Sequence, residues 1–160
     1  LNILRKPKKK REKTLLLVLG KQAGTDVFAE RARALGIADR MRFVSHTREP
    51  QRYFHALDIC VHPARVEEFG QSVQEAMACG IAVVTSQRVG AAELLAKEMR
   101  ARLPATPTVE ALTAQMSELI EHAGTRQAVA EAGWEAARAN TEAYNFEQTL
   151  AVYRRAGLEA

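Results

Sequence analysis

A chain of 160 residues, 47% hydrophobic and 26% charged, is long enough to bury a core without disulfide or metal staples. No apolar run approaches the roughly 18–20 residues of a membrane-spanning helix, and the composition fits no collagen-like, coiled-coil or disordered class. The formal net charge of +4 suggests an anionic partner, yet residues 5–13 hold seven of the 23 Lys and Arg, opposed by Glu12 alone; without residues 1–13 the balance is 16 basic against 18 acidic.

In chain order, the basic run leads into a first apolar stretch, Thr14 to Leu19, which reads as a strand covered on both faces. It offers only six positions, Leu15 to Gly20, too few for a signal peptide. Thr25 is expected to cap a helix through Leu35, ended by Gly36. A second strand follows at Met41 to Val44, then a short helix from Gln51 to Leu57. A third strand, Asp58 to His62, precedes a loop and a helix from Gln71 to Cys79, stopped by Gly80. The fourth strand, Ile81 to Thr85, leads to a helix over Gly90 to Lys97. Strands alternating with helices imply an α/β fold with a mostly parallel sheet and helices on both faces.

The last third is expected to be helical packing. Thr106 reads as a cap with Pro107 at the first helical position, opening a helix to about His122. Thr125 is expected to cap another through Ala139, and Phe146, Leu150 and Tyr153 form an apolar stripe on a third. No repeat or low-complexity linker divides the chain, so 1–160 reads as one domain: a basic connection over 1–13, an alternating core over 14–98, and packing helices over 105–160. Cys60 and Cys79 lie in apolar surroundings without metal-ligand spacing; they read as small buried groups in a reducing, cytoplasmic setting, and no metal site is expected.

In an open parallel sheet, ligands gather outside the carboxyl ends of the strands. The richest such end here is HPARVEEFGQSVQEAMACG, residues 62–80. Gly70 allows a backbone to approach a ligand. The free N–H groups near Gln71 and Ser72, at the positive end of the helix dipole, suit a phosphate. Glu75, a turn further on, can accept two ribose hydroxyls, while Glu67, eight residues earlier, brackets the other side of the helix entrance. Taken alone, both glutamates read more simply as solvated helix-entrance carboxylates than as a site. His62 reads as a hydrogen-bonded histidine behind this site, and Glu93 as a group orienting its own helix.

The stretch from Glu67 to Gly80 resembles the E-x-F-G…E-A-M-A-C-G signature of retaining nucleotide-sugar glycosyltransferases of family 4. LLLVLG, LGIADRMRFVS and HALDICVHPA resemble the order of elements in that family's C-terminal half, and VVTSQRVGAAELL resembles its V-V-x-S…G-x-x-E segment, ending at Gly90 and Glu93. The likeness covers roughly residues 14–98, and HPARVEEFG also resembles the lipopolysaccharide-core transferases. It implies the C-terminal, Rossmann-like half of a GT-B fold, metal-independent and without cofactor, binding a nucleoside-diphosphate sugar and transferring it to a glycan or lipid-linked acceptor. By that resemblance Glu67 is the catalytic candidate, holding sugar hydroxyls. Phe69, Gly70, Gln71 and Ser72 hold the diphosphate, Glu75 the ribose, and the Ser45–His46 loop lies beside the nucleobase.

The same resemblance places the family's diphosphate-neutralising Arg and Lys, the domain's first strand and the N-terminal acceptor domain upstream of Leu1. The chain is therefore expected to be a donor-binding fragment, inactive alone. Alternatives are a non-catalytic nucleotide-binding module, or a basic α/β domain meeting anionic membrane at the inner face through residues 5–13. Nucleic acid is not an expected partner, because the run lacks aromatic stacking residues and no helix-turn-helix or RNP motif follows.

Overall fold

The structure, a computed structural model, describes residues 14–20, 26–45 and 47–157. The basic run, Lys21, the expected Thr25 cap and His46 lie outside the described residues. The chain forms two compact units, one up to Tyr53 and one from Phe54 onward.

In the first unit, β1 (Leu16–Leu19) pairs in parallel with β2 (Met41–Val44), Leu16 opposite Met41. Helix α1 (Asp26–Ala34) and a 3₁₀ turn at Ala38–Arg40 connect them. Ala32, Ile37 and Met41 are buried together against Leu16, Val18, Leu35 and Phe43. The expected glycine stop is present. Gly36, at φ 64°, donates to Arg33 O and Ile37 N–H to Ala32 O, so the last carbonyls of α1 are satisfied as the chain reverses. Helix α2 (Pro50–Phe54) spans the boundary between the units and is shorter than the expected 51–57.

In the second unit, β3 (Ile59–Val61) and β4 (Ala82–Val84) form the second parallel pair, joined through α3 (Gln71–Ala78). Ile59, Val61, Ala82 and Val84 pack on Leu112, Met116 and Leu119 and on Val129 and Ala130. Cys60 and Val83, on the other face, meet Phe54, Ala76 and Ile81. A pair covered on both sides explains why its strands read as continuous rather than alternating apolar runs. Gly80 ends α3 as Gly36 ends α1, with Gly80 N–H donating to Met77 O and Ile81 N–H to Ala76 O.

After β4 the expected α-helix over Gly90–Lys97 is instead a 3₁₀ segment, Gly90–Leu94, followed by α4 (Lys97–Arg100). Helix α5 (Val109–Glu121) starts two residues later than expected. Thr108 is its cap, the hydroxyl accepting from Ala111 N–H at 3.1 Å, and Pro107 lies before the cap. Helix α6 (Ala123–Ala139) begins straight after His122, so Thr125 lies inside it. Arg126 reaches back to donate to Leu119 O at 2.7 Å, satisfying an end carbonyl of α5. Helix α7 (Glu142–Arg155), capped by Thr141, departs from the expected packing role: Phe146 is 61% and Tyr153 48% exposed, and none of its residues is buried.

Candidate donor site

The loop between β3 and α3 is built by backbone pairing. Glu67 N–H donates to Arg88 O at 3.2 Å, and Gly90 N–H donates to Glu67 O at 3.0 Å, making an isolated parallel bridge between Glu67 and Val89. Ala91 N–H donates to Phe69 O. The two stretches singled out in the sequence, 67–70 and 89–93, are thus hydrogen-bonded to each other. Gly90 permits this, because a Cβ there would overlap the Glu68 carbonyl oxygen. Glu93 itself is exposed and ion-pairs with Arg100 at 3.5 Å, on the next helix.

Gly70 is the N-cap of α3 in the left-handed region, at φ 84° and ψ 60°, which L side chains rarely adopt. Its buried backbone also lies where a Cβ would come 2.7 Å from Val89 Cγ1. Gly70 O accepts the Val73 N–H at 2.8 Å. Gln71 and Ser72, ahead of the first helical hydrogen bonds, present N–H groups with no intrahelical partner, and both residues are exposed. No side chain caps this end. Phe69 is 40% exposed beside it, Glu67 is partly exposed and Glu75 exposed one turn in. The arrangement offers backbone donors and the positive helix end for an anion, and two carboxylates as hydroxyl acceptors.

Six of the expected residues, Glu67, Phe69, Gly70, Gln71, Ser72 and Glu75, therefore share this loop and helix start. Ser45 follows β2 in the first unit, exposed, and is described there by itself. Among the described residues no group of three or more His, Cys, Asp or Glu is placed to hold a metal ion.

The sequence understated His62. Its backbone is fixed at both ends, N–H donating to Val84 O at 2.9 Å and carbonyl accepting from Thr85 Oγ1 at 3.3 Å. Its ring reaches α3 and the loop: Nδ1 is 3.4 Å from Ser72 Oγ, and Nε2 is 3.9 Å from Glu67 Oε2. The strand's alternation was the available signal. Cys60 packs with Ala76, and His62, two residues on, falls beside Ser72, four residues back along α3. Two strand residues rise about 6.6 Å and four helix residues about 6 Å, so the two registers run in step.

The family model for glycosyl transferases group 1 matches residues 1–135. The chain belongs to that family. Among curated relatives, the lipopolysaccharide core biosynthesis mannosyltransferase LpsB of Rhizobium meliloti (strain 1021) is 48% identical over 63 residues, covering 39% of this chain and 17% of that protein. The D-inositol 3-phosphate glycosyltransferase of Mycobacterium ulcerans (strain Agy99) is 32% identical over 142 residues, covering 84% of this chain and 30% of its own length. Among solved structures, WaaG, a glycosyltransferase involved in lipopolysaccharide biosynthesis, superposes with TM-score 0.74 at 23% identity, over 93% of this chain and 40% of that one. Anabaena Alr3699/HepE in complex with UDP gives TM-score 0.74 at 21% identity, over 89% and 41%. The fold is thereby the Rossmann-like α/β domain of GT-B glycosyltransferases, as expected. The chain spans less than a third of these curated relatives and about two fifths of these solved structures.

Proposed function

We propose that this chain is the donor-binding part of a cytoplasmic glycosyltransferase that moves a hexose or similar sugar from a nucleoside diphosphate to a glycan or lipid-linked acceptor. The observation that carries the reading is the start of α3, where Gln71 and Ser72, exposed just after the left-handed Gly70, present backbone donors flanked in sequence by Glu67 and Glu75. The N–H groups of Gln71 and Ser72 would bind the diphosphate, Glu75 the ribose hydroxyls and Glu67 the sugar hydroxyls. Family membership and the UDP held by the HepE neighbour support a nucleotide-sugar donor.

In the transfer, the bond from the anomeric carbon to the diphosphate oxygen breaks and one to the acceptor oxygen forms. The acceptor proton passes to the leaving diphosphate, which emerges on the same face and so gives retention. Backbone donors and a helix dipole stabilise charge that grows on the departing oxygen more than charge already present, which is what lowers a barrier. The acceptor would be bound by a second, N-terminal domain of the complete enzyme.

The test is calorimetric titration of the full-length protein with UDP, GDP and ADP. Glu75→Ala is expected to weaken the tightest of the three by roughly 10–100-fold, the scale of lost hydrogen bonds to a charged group. Unchanged affinity would remove the ribose assignment. Nucleotide binding by the complete protein without consumption of any nucleotide-hexose would make it a non-catalytic module.

A further inference from the structure

The His62 ring is a polar group at this site that the proposed roles leave unused. Its side chain is 21% exposed, but the Nε2 atom itself is buried and has no hydrogen-bond partner. A buried ring nitrogen without a partner is costly and calls for an explanation. The explanation lies 3.9 Å away, where Glu67 Oε2 stands just outside hydrogen-bond reach.

We infer that His62 is a positioning residue that ties Glu67 to Ser72, so that the sugar-binding and phosphate-binding ends of the donor site are set by one ring. This rests on the reading of that site as a donor site. With the Ser72 hydroxyl donating to Nδ1, the neutral imidazole carries its proton on Nε2, the atom facing Glu67. A small shift of the half-exposed Glu67 side chain brings one carboxylate oxygen onto that N–H and leaves the other for a substrate hydroxyl. The ring is carried on an anchored strand end. Its backbone is held by β4 and Thr85, so it supplies a fixed point to the flexible glutamate. Orientation of this kind is how a group that never touches substrate changes how well another group does.

The two ring nitrogens can be separated by substitution, since an Asn amide nitrogen falls where Nδ1 lies and a Gln amide nitrogen where Nε2 lies. The experiment uses the full-length protein and compares calorimetric affinity for UDP, GDP and ADP with that for UDP-, GDP- and ADP-hexose. His62→Asn is expected to weaken the nucleotide-hexose by roughly tenfold, an ordinary coupling between contacting side chains. The bare diphosphate should weaken by much less. His62→Gln is expected to restore most of the loss. In a Glu67→Gln background the effect of His62→Asn is expected to vanish. Equal losses in both backgrounds, or equal losses for diphosphate and nucleotide-hexose, would overturn the inference and leave His62 a packing residue. Wild-type protein that binds none of the three nucleotides, or binds without dependence on Glu75, would overturn the donor-site reading itself. Thermal melting of each variant separates these results from loss of fold.

Discussion

At the scale of single residues, Cys60 shows how the β3–α3 packing governs chemistry. Its side chain faces Ala76, Phe54 and Ile81, and burial pushes the thiol up to about 11 from its ordinary 9.0. The thiolate is the reactive form, and at pH 8 a thiol of that acidity is ionised in roughly one molecule in a thousand. Native Cys60 is therefore expected to resist iodoacetamide at pH 8, with its rate climbing between pH 9 and 11, while urea-unfolded chain reacts at once; peptide mass spectrometry reads the difference. Cys79 is raised as well, by burial first and then by the Glu75 carboxylate. Both cysteines pack against apolar neighbours, but they are partly buried where the sequence context suggested burial. His62 was less legible, because its importance lies in two partners, one from a loop and one from a helix, that periodicity alone does not bring together.

At the scale of elements, the glycine stops were readable and the caps were not. Ala34-Leu35-Gly36-Ile37 and Ala78-Cys79-Gly80-Ile81 are near-identical tetrapeptides and close their helices with the same pair of hydrogen bonds. Such a motif is local, so the sequence contains all of it. Thr106, Pro107 and Thr108 instead offer two competing hydroxyls, and only the backbone path decides that Thr108 caps α5. The stripe of α7 was legible as a helix, but periodicity does not say what covers it. Helices α3 and α6 meet at Gly133, where an added Cβ would lie 3.0 Å from Met77 Cγ. Both residues also line a cavity of about 90 Å³ with Val129 and Leu119, which gives Met77 room to move. Replacing a helix-interior glycine by alanine contributes about 1 kcal/mol. Gly133→Ala is thus expected to raise the melting midpoint by about 2–4 °C, and a lowered midpoint would mean that Met77 cannot yield. Gly133→Leu, too large for that room, is expected to lower it.

At the scale of the molecule, both units bury apolar clusters, and the positive charge is concentrated in one stretch of the sequence. The seven basic groups of residues 5–13 stand against a remainder that is slightly acidic. Each Lys or Arg near an anionic bilayer is worth about 1 kcal/mol. Vesicles containing anionic lipid are expected to retain the chain at low salt and to lose it when residues 1–13 are deleted. Retention that survives the deletion would place the contact elsewhere. Among the described residues no helix is long and apolar enough to cross a membrane. The alternation of strands and helices made the fold class readable, while the separation into two two-stranded ladders and two units depends on long-range packing.

The bridge between Glu67 and Val89 has a consequence for anyone transplanting this site into another scaffold. The contiguous peptide 67–75 is not a portable module, since the geometry of its first four residues is borrowed from the strut at 88–91 and from the glycine at 90 that lets the two backbones touch. A graft would have to move two discontinuous segments together, 62–75 and 84–91, and the spacing between them in the recipient would decide success more than the identity of either glutamate.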